Sequence, residues 1–328
     1  MKAFKLSNPN SLESALALLA DARAAKSPAK VLAGGQDLLT EMQEHLVEPD
    51  RVVNLKSIGG LDALDTAGPR IKLGALVTLA RLGEDQNVKE RARVLHEAAL
   101  SIASAQIRST GTVGGNLCQR PRCWYYRSEG AKCLKKGGTE CLAYGGLNKY
   151  NAILGGGPSY IVHPSDLAPA LVALDASIQI ERKGGTRTLE LARFFTLPIE
   201  GDILRENVLA DDEVVTEISF PAPAAGSRST YIKFKERGSY DFALASVALA
   251  VTLDGDVVRS ARLVLGGVAP IPWRALGAEK ALVGQKLGEA AGRAAAEEAL
   301  RGAEPLGQNA YKIPLSKALI ARAVQSLA

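Results

Sequence analysis

All four cysteines of this chain lie in one short segment. Cys118, Cys123, Cys133 and Cys141 are separated by four, nine and seven residues, and no other thiol occurs among the 328 residues. The segment is rich in glycine, arginine and lysine, and it begins directly after Thr-Val-Gly-Gly-Asn at positions 112–116. Thiols that are clustered in this way indicate one shared ligand rather than scattered core residues. The chain must therefore fold so that a single loop region carries its thiol chemistry.

Length and charge limit the class of protein. A chain of 328 residues is long enough for about two domains. The net charge of +5 is small and dispersed, so it does not predict nucleic-acid binding. The longest apolar run, 244–253, is about half of what a membrane span needs, so no span is predicted. The first residues lack the apolar core of a secretory signal. We expect a cytoplasmic protein with reduced thiols, exported only as the passenger of a partner subunit.

Hydrophobic patterning predicts an α+β fold with a boundary near residue 222. Helices and strands are mixed before this point, whereas strands come first and helices last after it. The predicted elements are a helix from a cap at Asn10 to about Ala25, strands over 30–33, 52–55, 70–77 and 160–163, a helix over about 90–106, a helix start at 164–166, strands over 231–235, 244–253 and 257–265 with Asp254-Gly255 as a hairpin turn, and helices from Ala275 onward.

Two glycine-rich loops have the composition of anion-binding sites. Residues 33–38, Ala-Gly-Gly-Gln-Asp-Leu, follow a predicted strand, and residues 110–116, Thr-Gly-Thr-Val-Gly-Gly-Asn, follow a predicted helix. Glycine lets successive backbone N–H groups face a phosphate without a side chain in the way. Each loop alone is also compatible with a tight structural turn. Neither fits the dinucleotide fingerprint, and no P-loop lysine motif occurs, which argues against a Rossmann domain and an NTPase.

The cysteine segment is compatible with an iron–sulfur cluster or with a structural zinc ion. Only Cys118 and Cys123 are close in sequence, and this irregular spacing favours a cluster over zinc. Six cations surround the thiols and would offset the negative charge of a cluster, although a solvated loop has the same composition. They are Arg120, Arg122, Arg127, Lys132, Lys135 and Lys136. The three histidines show no metal-ligand spacing, and we assign no catalytic residue.

Four motifs in order resemble those of a known family. They are Ala-Gly-Gly-Gln-Asp-Leu (33–38), Ser-Thr-Gly-Thr-Val-Gly-Gly-Asn-Leu (109–117), His-Pro-Ser-Asp-Leu-Ala-Pro-Ala-Leu (163–171) and Arg-Gly-Ser-Tyr-Asp-Phe-Ala-Leu-Ala-Ser (237–246). Together they resemble the FAD-binding medium subunit of the xanthine dehydrogenase family of molybdenum hydroxylases. The resemblance covers nearly the whole chain.

This resemblance implies a fold and a cofactor site. The fold would be a vanillyl-alcohol-oxidase-type FAD-binding domain of two subdomains over 1–221, with a cysteine-rich insertion at 118–150. A smaller domain of antiparallel sheet plus helices, like that of the carbon monoxide dehydrogenase flavoprotein, would follow over 222–328. The two glycine loops would hold the FAD pyrophosphate, Asp166 would lie near its ribose or adenine, and Lys233 and Tyr240 would approach the flavin. The cofactor-binding residues that the resemblance implies are Val31, Leu32, Ala33, Gly34, Gly35, Gln36, Asp37, Leu38, Ser109, Thr110, Gly111, Thr112, Gly114, Gly115, Asn116, Asp166, Leu167, Lys233 and Tyr240.

The insertion is similar to one that binds an additional 4Fe-4S cluster in the 4-hydroxybenzoyl-CoA reductase and aldehyde oxidoreductase branches of the family. Cys123, Cys133 and Cys141 match three of its ligands. In those relatives the fourth ligand lies further along, near Tyr150 or Ser159, whereas Cys118 is the remaining thiol of this chain. We predict Cys118 as the fourth ligand. If Cys118 is part of the flavin wall, the cluster has three thiolates and an oxygen or external ligand.

The function implied by the resemblance is electron transfer in a hetero-oligomer. The partners would be a molybdopterin-binding large subunit and a 2Fe-2S small subunit, with no nucleic acid or membrane span. FAD and the 4Fe-4S cluster of this chain would pass electrons between those subunits and an external acceptor or donor. The alternatives are a self-sufficient FAD-dependent oxidoreductase with a structural metal site, and a zinc-stabilised binding module without redox activity.

Overall fold

Three separate β-sheets organise the chain, which is described over residues 1–328 by a computed structural model. The strands are β1 Lys5–Ser7, β2 Ala29–Leu32, β3 Arg51–Asn54, β4 Leu64–Asp65, β5 Arg70–Gly74, β6 Ser177–Arg182, β7 Gly185–Glu190, β8 Val214–Pro221, β9 Ser227–Phe234, β10 Ala245–Asp254, β11 Val257–Gly266 and β12 Trp273–Arg274. The α-helices are α1 Leu12–Ala24, α2 Leu38–Gln43, α3 Leu79–Glu84, α4 Gln86–Arg91, α5 Arg93–Ser101, α6 Ala105–Thr110, α7 Val113–Leu117, α8 Trp124–Arg127, α9 Leu167–Ala173, α10 Leu276–Leu282, α11 Glu289–Ala299 and α12 Lys312–Ser326. Short 3-10 turns occupy Leu134–Lys136 and Leu191–Arg193.

The sheets follow one another along the chain. The first is parallel, with the order β1-β3-β2, and the second is antiparallel, with the order β4-β5-β8-β6-β7. The third, β12-β11-β10-β9, is also antiparallel, and it begins at Ser227, after the second sheet has ended at Pro221. None of the helices combines the length and apolar character that a membrane span requires.

Each sheet contributes to a hydrophobic core of its own. The smallest core joins α1 to the parallel sheet, and the second, of 34 residues, lies between the five-stranded sheet and helices α3, α5 and α9. It also takes in Tyr231, Ala248 and Val264 from one face of the third sheet. The opposite face of that sheet packs against α10, α11 and α12 in a core of 25 residues. The third sheet is therefore covered on both faces, and it is packed tightly onto the preceding part of the chain.

The predicted helix over 90–106 is wrong as a single element. The chain forms α4 and α5 with a break at Ala92, and it turns again at Ala103, whose φ is 43°. Val94 N–H donates to Ser229 Oγ at 3.2 Å. A side chain on β9, far along the chain, thus satisfies a free backbone amide at the start of α5. Ser104 then caps α6 by accepting from Ile107 N–H at 3.5 Å. The contact with Ser229 and the cap at Ser104 therefore divide a segment that its apolar periodicity predicts as one helix.

Three smaller predictions also need correction. The cap of α1 is Ser11 rather than Asn10, because Ser11 Oγ accepts from Ser14 N–H at 3.2 Å. Residues 160–163 form no strand, since His163 N–H donates to Ala269 O at 2.9 Å in a loop contact. Asp254 pairs with Val257, so the hairpin turn is 255–256, one residue later than predicted. Gly255 there has φ 58°, a conformation that favours glycine.

Lys312 ties the last helix to the cysteine insertion. Its side chain is fully buried, and Nζ donates to Tyr150 O at 2.9 Å and to Gly267 O at 2.6 Å. Both acceptors are neutral carbonyls. Burial therefore lowers the pKa of the Lys312 ammonium from 10.5 to about 7.

The pH dependence of stability tests this burial. Between pH 7 and 10.5 the unfolded chain binds a proton at Lys312 that the folded chain does not, so this residue adds stability as the pH rises. Relative to Lys312→Met, the wild type should gain about 2 kcal/mol of unfolding free energy between pH 7 and 9. Urea unfolding of both proteins across this range measures the difference. Parallel stability curves would contradict a low pKa for this lysine.

Candidate functional site

The two glycine loops touch each other. The first leaves β2, at whose end Val31 and Leu32 lie, and it continues into α2 at Leu38. The second follows Ser109 at the end of α6 and continues into α7. A Cβ atom on Gly34 would lie 2.1 Å from Thr110 O, and Gln36 Nε2 donates to Thr110 Oγ1 at 2.6 Å. The loops therefore approach so closely that only glycine fits at position 34.

The second loop is held from behind by the segment before α3. Leu79 N–H donates to Gly111 O at 2.9 Å, and Gly114 N–H donates to Ala75 O at 2.9 Å. A Cβ on Gly114 would lie 2.9 Å from Ala75 Cβ, whereas Gly115 is exposed. Thr112 Oγ1 caps the turn by accepting from Gly115 N–H at 3.1 Å. The loop is rigid at its base and open on the side of Gly115.

Asn116 connects this loop to the start of α9. Its Oδ1 accepts from Ser165 Oγ at 2.6 Å, and Ser165 Oγ accepts from Ala168 N–H at 3.0 Å. Ser165 is therefore the residue that caps α9, while Asp166 makes no capping hydrogen bond. Leu167 is fully buried in the main core. The Asp166 carboxylate is thereby left available for another contact.

Asp166 forms a buried ion pair with the third sheet. Asp166 Oδ2 lies 2.7 Å from Lys233 Nζ, and their side chains are 5% and 4% exposed. Tyr231, two residues before Lys233 on β9, donates its hydroxyl to Asp166 Oδ1 at 2.6 Å. Burial and the adjacent carboxylate raise the pKa of the Tyr231 hydroxyl far above its usual value, so it stays protonated and donates. We call these three residues the Asp166 clamp.

Tyr240 lies apart from these groups. Its side chain is 58% exposed, and Arg237 lies over its ring at 5.9 Å. Its φ is 54°, and its N–H donates to Ala103 O at 3.1 Å. The preceding Ser239 hydroxyl donates to the same carbonyl at 3.2 Å. The loop between β9 and β10 is thus fixed against the turn after α5, with the Tyr240 ring outside.

A cavity of about 450 Å³ lies beside the Asp166 clamp. Its walls come from four parts of the chain: the cysteine insertion with Asn151, the loop that leads into α9, the segment from the end of β9 to the start of β10, and Gly267 after β11. The lining residues are Arg122, Cys123, Trp124, Leu147, Lys149, Tyr150, Asn151, Val162, His163, Pro164, Ser165, Asp166, Glu236, Arg237, Asp241, Phe242, Ala243, Leu244, Ser246 and Gly267. This volume is in the range of roughly 300–1,000 Å³ typical of small-molecule sites. We call it the interdomain cavity.

Polar atoms in the wall of this cavity lack partners. Arg122 Nε and Ser246 Oγ are buried and make no hydrogen bond in the protein. Buried donors without partners are costly, and they are typical of sites that a ligand completes. The Arg122 guanidinium also lies 5.0 Å from the ring centre of Phe242, across the cavity. His163 is neutral at pH 7, because burial lowers its pKa from 6.5 to about 4. The walls thus offer hydrogen-bond donors and aromatic surface.

Asp37 of the first glycine loop holds the cysteine insertion in place. Its Oδ2 accepts from Arg120 N–H at 2.6 Å, and its Oδ1 lies 2.8 Å from Arg127 and 2.9 Å from Arg122. Its side chain is only 16% exposed. Tyr126 adds a neighbouring contact by donating to Glu41 of α2 at 2.8 Å. A partly buried carboxylate that is shared by two guanidinium groups and one backbone N–H fixes both segments relative to each other.

Lys135, which lies between Cys133 and Cys141 in the sequence, forms a second buried ion pair. Lys135 Nζ is 2.6 Å from Glu206 Oε1, and these side chains are 2% and 3% exposed. Arg120 reaches the other oxygen of the same carboxylate at 2.5 Å. A Cβ on Gly138 would lie 2.1 Å from Lys132 O, so this turn requires glycine. The loop between Cys133 and Cys141 is therefore closely packed.

Three of the four cysteines line one small cavity. Cys123, Cys133 and Cys141 surround a space of about 10 Å³ with Ser159 and with aromatic and aliphatic side chains. Asn151 Nδ2 lies 3.7 Å from Cys123 Sγ. We call this space the thiol cavity. No group of three or more His, Cys, Asp or Glu side chains is arranged to hold a single metal ion.

Cys118 is not among the residues that line the thiol cavity. It ends α7, its N–H donates to Gly114 O at 3.0 Å, and its side chain packs against the main hydrophobic core. Burial among apolar groups raises the pKa of its thiol to about 12. The four thiols that are adjacent in sequence therefore occupy two places in the fold, because α7 carries the first one away from the loop.

Several site residues were not identified from the sequence. Tyr231, Glu206 and Ser246 were missed, and the arginines near the thiols were compatible with a solvated loop, whereas Arg122 and Arg127 pair with Asp37. One pattern could have revealed Tyr231. It stands two residues before Lys233 on a strand, so both side chains point to the same face.

Comparisons with known proteins agree with this architecture. Residues 2–223 match the family model described as FAD binding domain in molybdopterin dehydrogenase, and residues 229–327 match the CO dehydrogenase flavoprotein C-terminal domain. The chain is 34% identical over 297 residues to the aldehyde oxidoreductase FAD-binding subunit PaoB of Escherichia coli (strain K12), covering 89% of each chain. It is 29% identical over 328 residues to the carbon monoxide dehydrogenase medium chain of Hydrogenophaga pseudoflava, covering 98% of this chain and 96% of that one.

Solved structures give the same result. A chain of the Hydrogenophaga pseudoflava carbon monoxide dehydrogenase that lacks the Mo-pyranopterin moiety superposes with a TM-score of 0.77 at 28% identity, covering 98% of this chain and 96% of that chain. The chain belongs to the FAD-binding medium subunits of the molybdenum hydroxylase family. Its class is that of the FAD-dependent oxidoreductase subunits, and the fold class predicted from the sequence is confirmed.

The contact between the glycine loops can be tested with one methyl group. Gly34→Ala places a Cβ against Thr110 O, so the loops must separate, and we expect a loss of about 1–3 kcal/mol of unfolding free energy. The matched control is Gly59→Ala, where a Cβ meets nothing within 4 Å, with an expected change within about 0.5 kcal/mol. Urea unfolding measures both variants. Equal stability of the two variants would show that the space between Gly34 and Thr110 admits a methyl group.

The Asp37 network is tested by removing its charge. Asp37→Asn leaves Arg122 without a carboxylate and Arg127 with only the more distant Glu44, in a partly buried site, and we expect a loss of about 3 kcal/mol. Asp256→Asn is the control, because its pair with Lys286 is exposed and should contribute less than about 1 kcal/mol. Thermal and urea unfolding report the difference. A loss that is no larger for Asp37 than for Asp256 contradicts the anchoring role.

Proposed function

We propose that this chain is the FAD- and 4Fe-4S-containing electron-transfer subunit of a heteromeric molybdenum hydroxylase. One observation carries the proposal: Cys123 lines both the interdomain cavity and the thiol cavity. A flavin in the interdomain cavity and a cluster in the thiol cavity would therefore be separated by little more than the Cys123 residue. When bound, FAD supplies two-electron chemistry and an iron–sulfur cluster supplies single-electron transfer.

In this proposal the two glycine loops bind the FAD pyrophosphate. The exposed Gly115 and the contact between Gly34 and Thr110 support it, because the two loops adjoin and the backbone at Gly115 is accessible. The proposed residues are those implied by the resemblance, from Val31 to Leu38, at 109–112 and 114–116, and at Asp166, Leu167 and Lys233. For Tyr240, whose ring lies outside the interdomain cavity, support comes from the sequence motif alone. The domains would be 1–221 and 222–328.

The isoalloxazine ring would occupy the interdomain cavity. Its carbonyl and ring nitrogen atoms would accept hydrogen bonds from Arg122 Nε and Ser246 Oγ, which lack partners in the protein. Phe242 and Trp124 would shield the ring from water. The Asp166 clamp would act indirectly, by holding β9 and the start of α9 at a fixed separation. No side chain in this cavity needs to act as a catalytic base, since substrate oxidation would take place in the partner.

The thiol cavity would hold the cluster. Cys123, Cys133 and Cys141 have the donor chemistry of an iron–sulfur site, and the nearby Lys136 would offset its negative charge. Tyr125 and Tyr126 line the cavity and would limit access of water, which is one determinant of cluster potential. The proposed partners are a molybdopterin-binding large subunit and a 2Fe-2S small subunit. Support comes from relatives that are named as subunits or medium chains.

The cluster is tested by one substitution. Cys133→Ser should abolish the iron and acid-labile sulfide of anaerobically purified protein, while most of the FAD is retained, because Cys133 does not line the interdomain cavity. Iron, sulfide and released FAD are measured per chain. Ser128→Ala, an exposed position in the same insertion, is the control and should keep both cofactors.

The outcomes separate the parts of the proposal. Loss of FAD with retained iron would contradict the assignment of the two cavities. Zinc without sulfide in the wild type would favour a structural metal site. Purification from the native source under mild conditions should yield two unlike subunits with this chain, and isolation of an active FAD oxidoreductase without them would contradict the electron-transfer role.

A further inference from the structure

We propose that Lys56 supplies the positive charge with which the first glycine loop selects a diphosphate, and so selects FAD over riboflavin. This inference rests on the proposed FAD site and adds a residue that the sequence motifs do not include. Lys56 follows β3, and its Nζ donates to Ala33 O at 3.2 Å, at the start of the loop. A diphosphate is an anion, so the loop that binds it needs a compensating cation.

The first glycine loop has backbone donors without partners. The N–H groups of Gly34, Gly35 and Gln36 donate to no acceptor in the protein, and none of the three residues is buried. Gly35 has φ 73°, a conformation in which successive amides converge on one point. In the second loop, by contrast, the N–H groups of Gly114 and Gly115 both donate within the protein. The first loop therefore has more amides available to an anion.

The carboxyl edge of the parallel sheet holds Lys56 beside this loop. Asn54 Oδ1 accepts from Lys56 N–H at 3.1 Å, and Asn54 Nδ2 donates to Asn8 Oδ1 at 2.8 Å. Ser57 Oγ donates to Pro9 O at 2.8 Å. The backbone on both sides of Lys56 is therefore fixed, although the residue itself is exposed. The carboxyl ends of parallel strands are a common place for ligands in α/β proteins.

The charge of Lys56 is not neutralised by a carboxylate. No Asp or Glu oxygen lies within 4.0 Å of its Nζ, and its partner is a neutral carbonyl. Arg122 and Arg127, which also reach the first loop, are both paired with Asp37. Arg108, which precedes the second loop, donates to the carbonyl six residues before it at 2.7 Å. The flexible stem of Lys56 lets its ammonium turn from the carbonyl to a phosphate oxygen.

The experiment uses the full chain freed of flavin, with FAD, riboflavin and ADP as probes. Four proteins are compared: the wild type, Lys56→Met, Lys56→Arg and Lys183→Met. The last is the matched control, because Lys183 is an exposed lysine in the turn between β6 and β7. Flavin fluorescence gives the dissociation constants of FAD and riboflavin at several salt concentrations, and competition with FAD gives that of ADP. Thermal unfolding of the flavin-free proteins reports on folding.

Only the probes that carry a diphosphate should respond to the loss of Lys56. Lys56→Met should bind FAD and ADP about tenfold more weakly than the wild type, and riboflavin within about twofold of it. Added salt should weaken FAD binding less in Lys56→Met than in the wild type, because the charge that salt screens has been removed. Lys56→Arg should keep most of the affinity for FAD. Lys183→Met should match the wild type, and all four proteins should unfold at similar temperatures.

Two results overturn the inference while leaving the proposed FAD site intact. One is a wild-type affinity for FAD and ADP in Lys56→Met, which shows that the free amides of the loop suffice. The other is a loss of FAD and riboflavin binding by the same factor in that variant, which gives Lys56 a structural role at the sheet edge. If the wild type itself binds riboflavin as tightly as FAD, the diphosphate adds nothing and the proposed pyrophosphate site fails as well, so the two failures are distinguishable.

Discussion

The charge network around Asp37 joins the first glycine loop to the cysteine insertion. Asp37 belongs to the first glycine loop, yet its carboxylate is shared by the backbone of Arg120 and the guanidinium groups of Arg122 and Arg127, all from the cysteine insertion. An insertion of this length has little secondary structure to support it. Partly buried ion pairs with good geometry replace that support, since leaving any one of these charges unpaired is costly. The position of the thiols is therefore set by the loop proposed to bind phosphate.

This arrangement links the two cavities through shared side chains. Arg122 pairs with Asp37 and lies against Phe242 in the interdomain cavity, and the next residue, Cys123, reaches the thiol cavity as well. Glu206 anchors the opposite side of the insertion through Lys135 and Arg120. A change in one cavity therefore alters contacts in the other.

Local chemistry made part of the fold predictable. The glycine loops, the start of α9 and the hairpin near Asp254 were recognisable because turns and caps depend on residues that are adjacent in sequence. The break at Ala92 was not, because Ser229, 135 residues away from Val94, satisfies the start of α5. The same reason applies to Asp37, whose arginine partners lie more than 80 residues away. Sequence clustering also suggested that all four thiols meet, but α7 separates Cys118 from the rest.

The Asp166 clamp has a consequence for how the cofactor enters. It joins the start of α9 to β9 through an ion pair whose side chains are 5% and 4% exposed, and Tyr231 fills the remaining side. Separating these segments would expose two opposite charges that water does not reach in the folded chain. A hinge motion that separates the start of α9 from β9 is therefore a slow route for a large dinucleotide to enter. A flavin bound at the proposed site should therefore exchange with free flavin only as fast as these two segments separate.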